Sequence, residues 1–116
     1  MEKYTGSSLM QTVIGEGSDL FGDYVFQGPV MVHGHIKGNL IAVNASGAVA
    51  VIAKTGKVEG EVRAAVVEVA GTVIGDVYSA ERLTLRSGCN LRGNIYYKGV
   101  EVAEGAIING NMISER

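Results

Sequence analysis

One five-residue unit recurs six times along the chain, and it restricts the fold more than any other feature. It consists of an apolar residue, any residue, Gly, then Asp, Glu or Asn, then another large apolar residue. The copies are Leu20-Phe21-Gly22-Asp23-Tyr24, Ile36-Lys37-Gly38-Asn39-Leu40, Val58-Glu59-Gly60-Glu61-Val62, Val73-Ile74-Gly75-Asp76-Val77, Leu91-Arg92-Gly93-Asn94-Ile95 and Ile108-Asn109-Gly110-Asn111-Met112. The repeat glycines Gly22, Gly38, Gly60, Gly75, Gly93 and Gly110 are spaced by 16, 22, 15, 18 and 17 residues. A second glycine stands four or five positions before most of them, as Gly34, Gly56, Gly71, Gly88 and Gly105. Internal repetition on this scale marks a stacked, solenoid-type architecture.

Between the glycines the chain alternates. Val32, Gly34, Ile36, Gly38 and Leu40 are set against His33, His35, Lys37 and Asn39, the two-residue period of a strand with one buried face. The spacing near 3.6 that a helix requires does not hold. A lone strand this short cannot bury its apolar side. Copies stacked at ~4.8 Å share one continuous core and pair each backbone with the coils above and below, and six of them span roughly 29 Å. Glycines at the corners allow sharp turns and close backbone approach.

Stacking predicts ladders of equivalent residues. Lys37 falls beside Glu59 and Arg92 beside Asn109, which keeps like charges apart. Ile41, Arg63, Tyr78, Tyr96 and Ile113 form an outward column, with a cation–π contact expected between Arg63 and Tyr78.

Composition agrees with a thin β-rich core. Of 116 residues, 47% are hydrophobic but only 6% aromatic, so the apolar mass is mostly Val, Ile, Ala and Leu. The length suits one domain. Ten basic and twelve acidic residues are mixed along the sequence, leaving no basic patch for nucleic acid. The single cysteine, Cys89, has no internal disulfide partner, no signal peptide is evident, and no apolar run reaches the ~18 residues of a membrane span. A reducing cytoplasm is the expected setting.

Several patterns could carry chemistry. Glu61 and Asp76, on neighbouring rungs of the acidic column Asp23, Asn39, Glu61, Asp76, Asn94 and Asn111, could approach the spacing of a retaining glycosidase pair. Asp and Asn beside Gly are also ordinary turn residues that bond the local backbone, and no long loop is present to build a sugar cleft. That second reading is favoured. His33 and His35 share a strand face without a nearby third metal ligand, so they read as solvated outward residues. Cys89 reads as a small corner residue with no base to activate it. No phosphate-binding glycine motif leads into a helix, so no nucleotide, cofactor or metal is expected and no catalytic residue is assigned. Tyr78, Tyr96 and Tyr97 with Ile74 form either a lateral contact surface or a scattered apolar surface.

The run Thr12-Val13-Ile14-Gly15-Glu16-Gly17-Ser18, then Gly22-Asp23, Gly28-Pro29 and Val32-His33-Gly34-His35-Ile36-Lys37-Gly38-Asn39-Leu40, resembles the bactofilins. Ala80-Glu81-Arg82-Leu83-Thr84-Leu85 and Val102-Ala103-Glu104-Gly105-Ala106-Ile107-Ile108-Asn109-Gly110 resemble the last coils of the same family's domain. The resemblance covers residues 12–113, between a short flexible leader, 1–11, whose one basic residue is Lys3, and a tail, 114–116. It implies an all-β, single-stranded, right-handed parallel β-helix of about six three-sided coils. It further implies a bacterial cytoskeletal scaffold that forms nonpolar filaments without nucleotide, with roles in cell shape or the cell wall. Implied partners are the chain itself, the inner membrane surface and cell-wall-modifying enzymes.

The ends give a physical reason to polymerise. A solenoid exposes an unpaired edge and a core cross-section at each end unless polar caps cover them, and no cap is legible here. Val13, Ile14, Leu20, Phe21, Tyr24 and Phe26 are assigned to the N-terminal contact, and Ile107, Ile108, Met112 and Ile113 to the C-terminal one. Like ends meeting give a nonpolar filament, unlike ends a polar one. The alternatives are a hexapeptide-repeat acyltransferase, suggested by Ile14, Leu20, Phe26 and Val32 falling six apart before that register breaks, and a non-polymerising interaction module.

Overall fold

The computed structural model describes residues 12–42 and 48–114. The leader and the last two residues of the tail assigned above lie outside them. Every regular element among the described residues is a strand, and the strands fall in threes. Thr12–Ile14 (β1), Asp19–Phe21 (β2) and Tyr24–Phe26 (β3) make the first coil. Pro29–Val32 (β4), His35–Lys37 (β5) and Leu40–Ala42 (β6) make the second. The third runs through Val49–Ile52 (β7) and Lys57–Glu59 (β8) into Val62–Val69 (β9), which rounds a corner to open the fourth. Thr72–Ile74 (β10) follows, and Val77–Leu85 (β11) rounds the same corner into the fifth. Asn90–Arg92 (β12) and Ile95–Tyr97 (β13) complete that coil. Gly99–Val102 (β14), Ile107–Asn109 (β15) and Met112–Ser114 (β16) form the sixth.

All pairings between coils are parallel, and they define three faces. The first stacks β1, β4, β7, the C-terminal part of β9, the C-terminal part of β11, and β14. β2, β5, β8, β10, β12 and β15 build the second. The third contains β3, β6, the opening residues of β9 and β11, then β13 and β16. The six-coil β-solenoid expected from the repeat, with the three sides that the resemblance implies, is what the chain forms.

The repeat owes its regularity to one corner. Between the second and third faces every coil spends two residues, Gly and its acidic or amide neighbour; the other two corners vary in length. At this corner the N–H of each repeat glycine from Gly22 to Gly93 donates to the following coil, Gly22 to the Lys37 carbonyl at 2.9 Å and Gly75 to that of Arg92 at 2.7 Å. The glycines have positive φ, from 104° at Gly22 to 154° at Gly60. A Cβ on Gly60 would also drive into the Gly38 carbonyl of the coil before, and one on Gly93 into that of Gly75. Conformation and space both demand glycine.

The polar column beside these glycines ties coil to coil. Asp23 Oδ1 accepts from the Asn39 backbone at 3.2 Å and from its side chain at 3.0 Å, Asn39 Oδ1 accepts from the Glu61 N–H at 2.9 Å, and Asp76 Oδ1 from the Asn94 N–H at 3.0 Å. The turn-residue reading holds with one correction. The partner is the next coil's backbone rather than the residue's own turn, because stacking sets that N–H within hydrogen-bond reach, at 2.9–3.2 Å.

The second set of glycines needs a larger correction. The corner between the first and second faces stacks small residues, Ser18, Gly34, Gly56, Gly71, Cys89 and Ala106, linked by bonds such as Lys57 N–H to the Gly34 carbonyl at 2.9 Å and Ile107 N–H to that of Cys89 at 2.9 Å. Gly88 and Gly105 stand one residue earlier, in longer turns where positive φ, 86° and 91°, selects them. Cys89 fills a glycine-sized place and is fully buried, so burial pushes its thiol pKa up.

The core is the set of inward columns. Val30, Val32, Ile36, Leu40, Ile52, Val58, Val62, Val67, Val69, Val73, Val77, Leu83 and Leu85 are all 0% exposed, one continuous stack of aliphatic rungs. Gly60→Ala is expected to cost on the order of 3 kcal/mol, combining strained φ with a backbone collision. Gly17→Ala, at φ 85° with open space around it, should cost about 1 kcal/mol from strain alone. Denaturant melts of the two variants check the ordering; equal losses would separate the glycine column from coil stacking.

Candidate polymer interfaces

Parallel register assigns each end residue either to the core cross-section or to a flank. On the first coil Ile14, Leu20 and Tyr24 continue the inward columns of Val32, Ile36 and Leu40. Ile14 and Phe26 are buried, at 7% and 4% exposure, while Leu20 and Tyr24 are half-buried. The Tyr24 and Phe26 rings stack at 6.4 Å, widening the first rung beyond the aliphatic ones behind it. Val13 and Phe21 differ. They pair with Met31 and Lys37 on outward columns and are 56% and 75% exposed, so they lie on the flanks, and Lys37 Nζ sits 5.6 Å from the Phe21 ring centre.

The last coil divides the same way. Ile108 and Met112 continue the buried columns of Leu91 and Ile95, whereas Ile107 and Ile113 pair with the outward Asn90 and Tyr96. Val100 and Val102, which the sequence assignment left out, lie on the buried Leu83 and Leu85. Val102 is 51% exposed where Leu85 beneath it is fully buried. The signal for both was available, since the inward column Ile52, Val69, Leu85 extends to Val102 by the same alternation.

The terminal cross-section is therefore Val100, Val102, Ile108 and Met112 at one end and Ile14, Leu20, Tyr24 and Phe26 at the other. Among the described residues the backbone ladder is incomplete too. Gly93 donates to the Asn109 carbonyl at 2.9 Å and Ile95 to that of Asn111 at 2.8 Å; the matching bonds from Gly110 and Met112 require a seventh coil.

The outward column runs Val25, Ile41, Arg63, Tyr78, Tyr96 and Ile113 in register. Arg63 lies 4.1 Å from the Tyr78 ring centre, and Tyr78 stacks on Tyr96 at 4.6 Å with the rings 3° apart. The Lys37–Glu59 and Arg92–Asn109 rungs form as expected.

His35 is not simply solvated. Its Nε2 lies 2.6 Å from Glu59 Oε2 and its Nδ1 3.6 Å from Asp19 Oδ1, bridging the first and third coils across one face. Among the described residues no three of His, Cys, Asp and Glu are grouped as a metal site requires. No helix among them is long and apolar enough to cross a membrane. The His35 hydrogen bond, more than the charges of Lys57 and His35, holds the Glu59 carboxyl below its ordinary pKa. A lowered folded pKa stabilises above the ordinary carboxylate range and the gain is lost as pH falls through the lowered value. Glu59→Gln should therefore lower the melting temperature at neutral pH and leave it unchanged in strong acid; equal loss in both would contradict the bridge.

Known proteins are similar to this chain in sequence or fold. A bactofilin of Myxococcus xanthus, BacO, is 27% identical over 104 residues, covering 90% of this chain and 79% of its own length. The Thermus thermophilus bactofilin, solved by electron cryo-microscopy as double helical filaments, superimposes with a TM-score of 0.79 at 23% identity, over 90% of this chain and 99% of that one. The family model described as polymer-forming cytoskeletal matches residues 12–113, the six coils with their glycine corner, and the chain belongs to the bactofilin family of cytoskeletal proteins.

Proposed function

We propose that this chain is a cytoskeletal scaffold subunit that polymerises end to end through its first and last coils, into nonpolar filaments and without nucleotide. The observation that carries the reading is the last coil. Its inward residues Val100, Val102, Ile108 and Met112 occupy columns that are 0–1% exposed one coil earlier, at Leu83, Leu85, Leu91 and Ile95, yet Val102 itself is 51% exposed. An end that repeats the interior without its cover is completed by another such end. Like ends meeting about a two-fold axis give closed, self-complementary joints and a filament without polarity.

Support for a non-enzymatic role comes from the columns themselves. In the acidic column the side chains of Asp23, Asn39 and Asp76 accept coil-to-coil hydrogen bonds, Glu61 pairs with Arg63 at 2.8 Å, and Cys89 is fully buried. The six-residue register that suggested an acyltransferase stops at Val32, where variable corners take over. Family membership supports the remainder of the proposal: cytoplasmic placement, attachment to the inner membrane surface, support of cell shape and recruitment of cell-wall-modifying enzymes.

The flank positions of Val13, Phe21, Ile107 and Ile113 make them rim residues of the joints, and the inward residues their centre. Met112→Arg places a charge at that centre and should weaken the C-terminal joint by about 3 kcal/mol, roughly two orders of magnitude in its dissociation constant. Symmetry then fixes the product. A nonpolar filament blocked at one joint leaves dimers held through the N-terminal coil, and a polar one leaves monomers. Sedimentation velocity of the variant in nucleotide-free buffer distinguishes these, and filaments of wild-type length would overturn the assignment.

A further inference from the structure

Asn109-Gly110 is the one Asn-Gly pair in the chain, and it stands at the glycine corner of the last coil. An Asn side-chain amide is lost when the backbone nitrogen of the next residue attacks its carbonyl carbon. The attack is easiest when that residue is glycine, with no side chain in the way, and when its N–H is not held in a hydrogen bond.

Coils one to five hold it. The N–H groups of Gly22, Gly38, Gly60, Gly75 and Gly93 donate to carbonyls of the following coil at 2.7–3.0 Å. Among the described residues Gly110 has no such acceptor, and both it and Asn109 are exposed. The residues ahead of the other five glycines are Phe21, Lys37, Glu59, Ile74 and Arg92. The reactive side chain and the unbonded nitrogen therefore coincide only at the C-terminal end.

Two further features favour the attack. β15, which ends at Asn109, is an edge strand paired only with β12, so an excursion from strand geometry breaks few bonds. Arg92 is in register with Asn109 on the coil beneath, a cation placed where negative charge develops as the nitrogen gives up its proton.

We infer that Asn109 is a site of spontaneous deamidation that is open at a free C-terminal end and closed in a joined one. The Gly110 nitrogen loses its proton and bonds to Asn109 Cγ. The bond from Cγ to the side-chain nitrogen breaks, and ammonia leaves with that proton, so a five-membered succinimide remains. Water opening the ring at Cγ restores the backbone as aspartate; water opening it at the backbone carbonyl routes the chain through Cγ as isoaspartate. The second product adds a methylene to the backbone between Ile108 and Met112. Every coil spends two residues at this corner, so the added length moves Met112 off the buried column of Ile95. Subunits that stay unjoined are thereby retired from assembly, and subunits within a filament are spared. The inference rests on the end-to-end contact proposed above.

Ageing the full-length chain tests it. Wild-type protein is held for days at mildly alkaline pH, one sample as filaments and one as subunits too dilute to assemble. Peptide mapping by mass spectrometry reads the amide-to-acid conversion at Asn109, and enzymatic methylation reads isoaspartate. Conversion should be roughly tenfold slower in filaments, where one hydrogen bond must break first, and aged subunits should lose assembly in step with isoaspartate. Asn109→Gln, whose longer side chain closes to a ring far more slowly, should still assemble after the same treatment. Equal conversion in both samples, or none in subunits, overturns the inference and leaves polymerisation standing. Loss of assembly by aged Asn109→Gln at the wild-type rate is equally contrary. Should that variant fail to assemble when fresh, aged wild-type subunits separated by charge take its place, and isoaspartyl subunits that join filaments as readily as intact ones overturn the inference. Wild-type protein that forms no filaments removes the end-to-end reading, and the protected state with it.

Discussion

The structure depends on how closely one backbone can lie on the next at the glycine corner. At Gly38, Gly60, Gly75, Gly93 and Gly110 the carbonyl of the preceding repeat glycine occupies the space a Cβ would need. Only a chain without side chains there can turn through positive φ and still keep coil-to-coil hydrogen bonds on both sides of the turn. Once that corner is fixed, strand register follows. The residue two positions before each glycine faces inward, as does the residue two positions after it, and the core is built by repetition. Variation is tolerated elsewhere because the other corners bear less of this constraint, as their two- to four-residue range between the first and second faces shows.

This is why so much of the fold was legible. The Gly-acid pair marks the one invariant corner, so counting from it recovers the strands of the second and third faces, the outward Arg63-Tyr78-Tyr96 column and the Lys37–Glu59 rung. The first face was harder to read. Its strands are set by corners of unequal length, which hid the equivalence of Ser18, Gly34, Gly56, Gly71, Cys89 and Ala106 behind the more conspicuous Gly88 and Gly105. The same irregularity concealed Val100 and Val102 at the C-terminal end. Apolar character alone did not separate inward from outward end residues. Phe21, Val13, Ile107 and Ile113 are as hydrophobic as their inward neighbours, yet alternation puts each on a flank, and Phe21 occupies the same column as the outward Lys37. His35 was invisible as a bridge because Asp19 and Glu59 lie sixteen and twenty-four residues away and meet it only through stacking.

Function follows from the same one-dimensional logic. A solenoid has no intrinsic reason to stop at six coils, since each added coil buries the previous one and gains its own exposed face. Here the last coil retains the interior pattern, and the first is widened by a stacked Tyr24–Phe26 pair without a charged cover among its inward residues. End-to-end continuation satisfies both. The two ends are chemically distinct, aliphatic at the C-terminal coil and partly aromatic at the N-terminal one, so a filament with like ends joined alternates two joints of different composition.

The most direct test of the account is the helical diffraction of filaments grown from the purified chain, recorded by electron cryo-microscopy without nucleotide. Coaxial stacking of coils predicts a meridional reflection near ~4.8 Å, with a subunit repeat of roughly 29 Å that doubles to roughly 58 Å where like ends meet. Discrete particles, or filaments whose ~4.8 Å spacing lies off the meridian, would contradict assembly through the terminal coils.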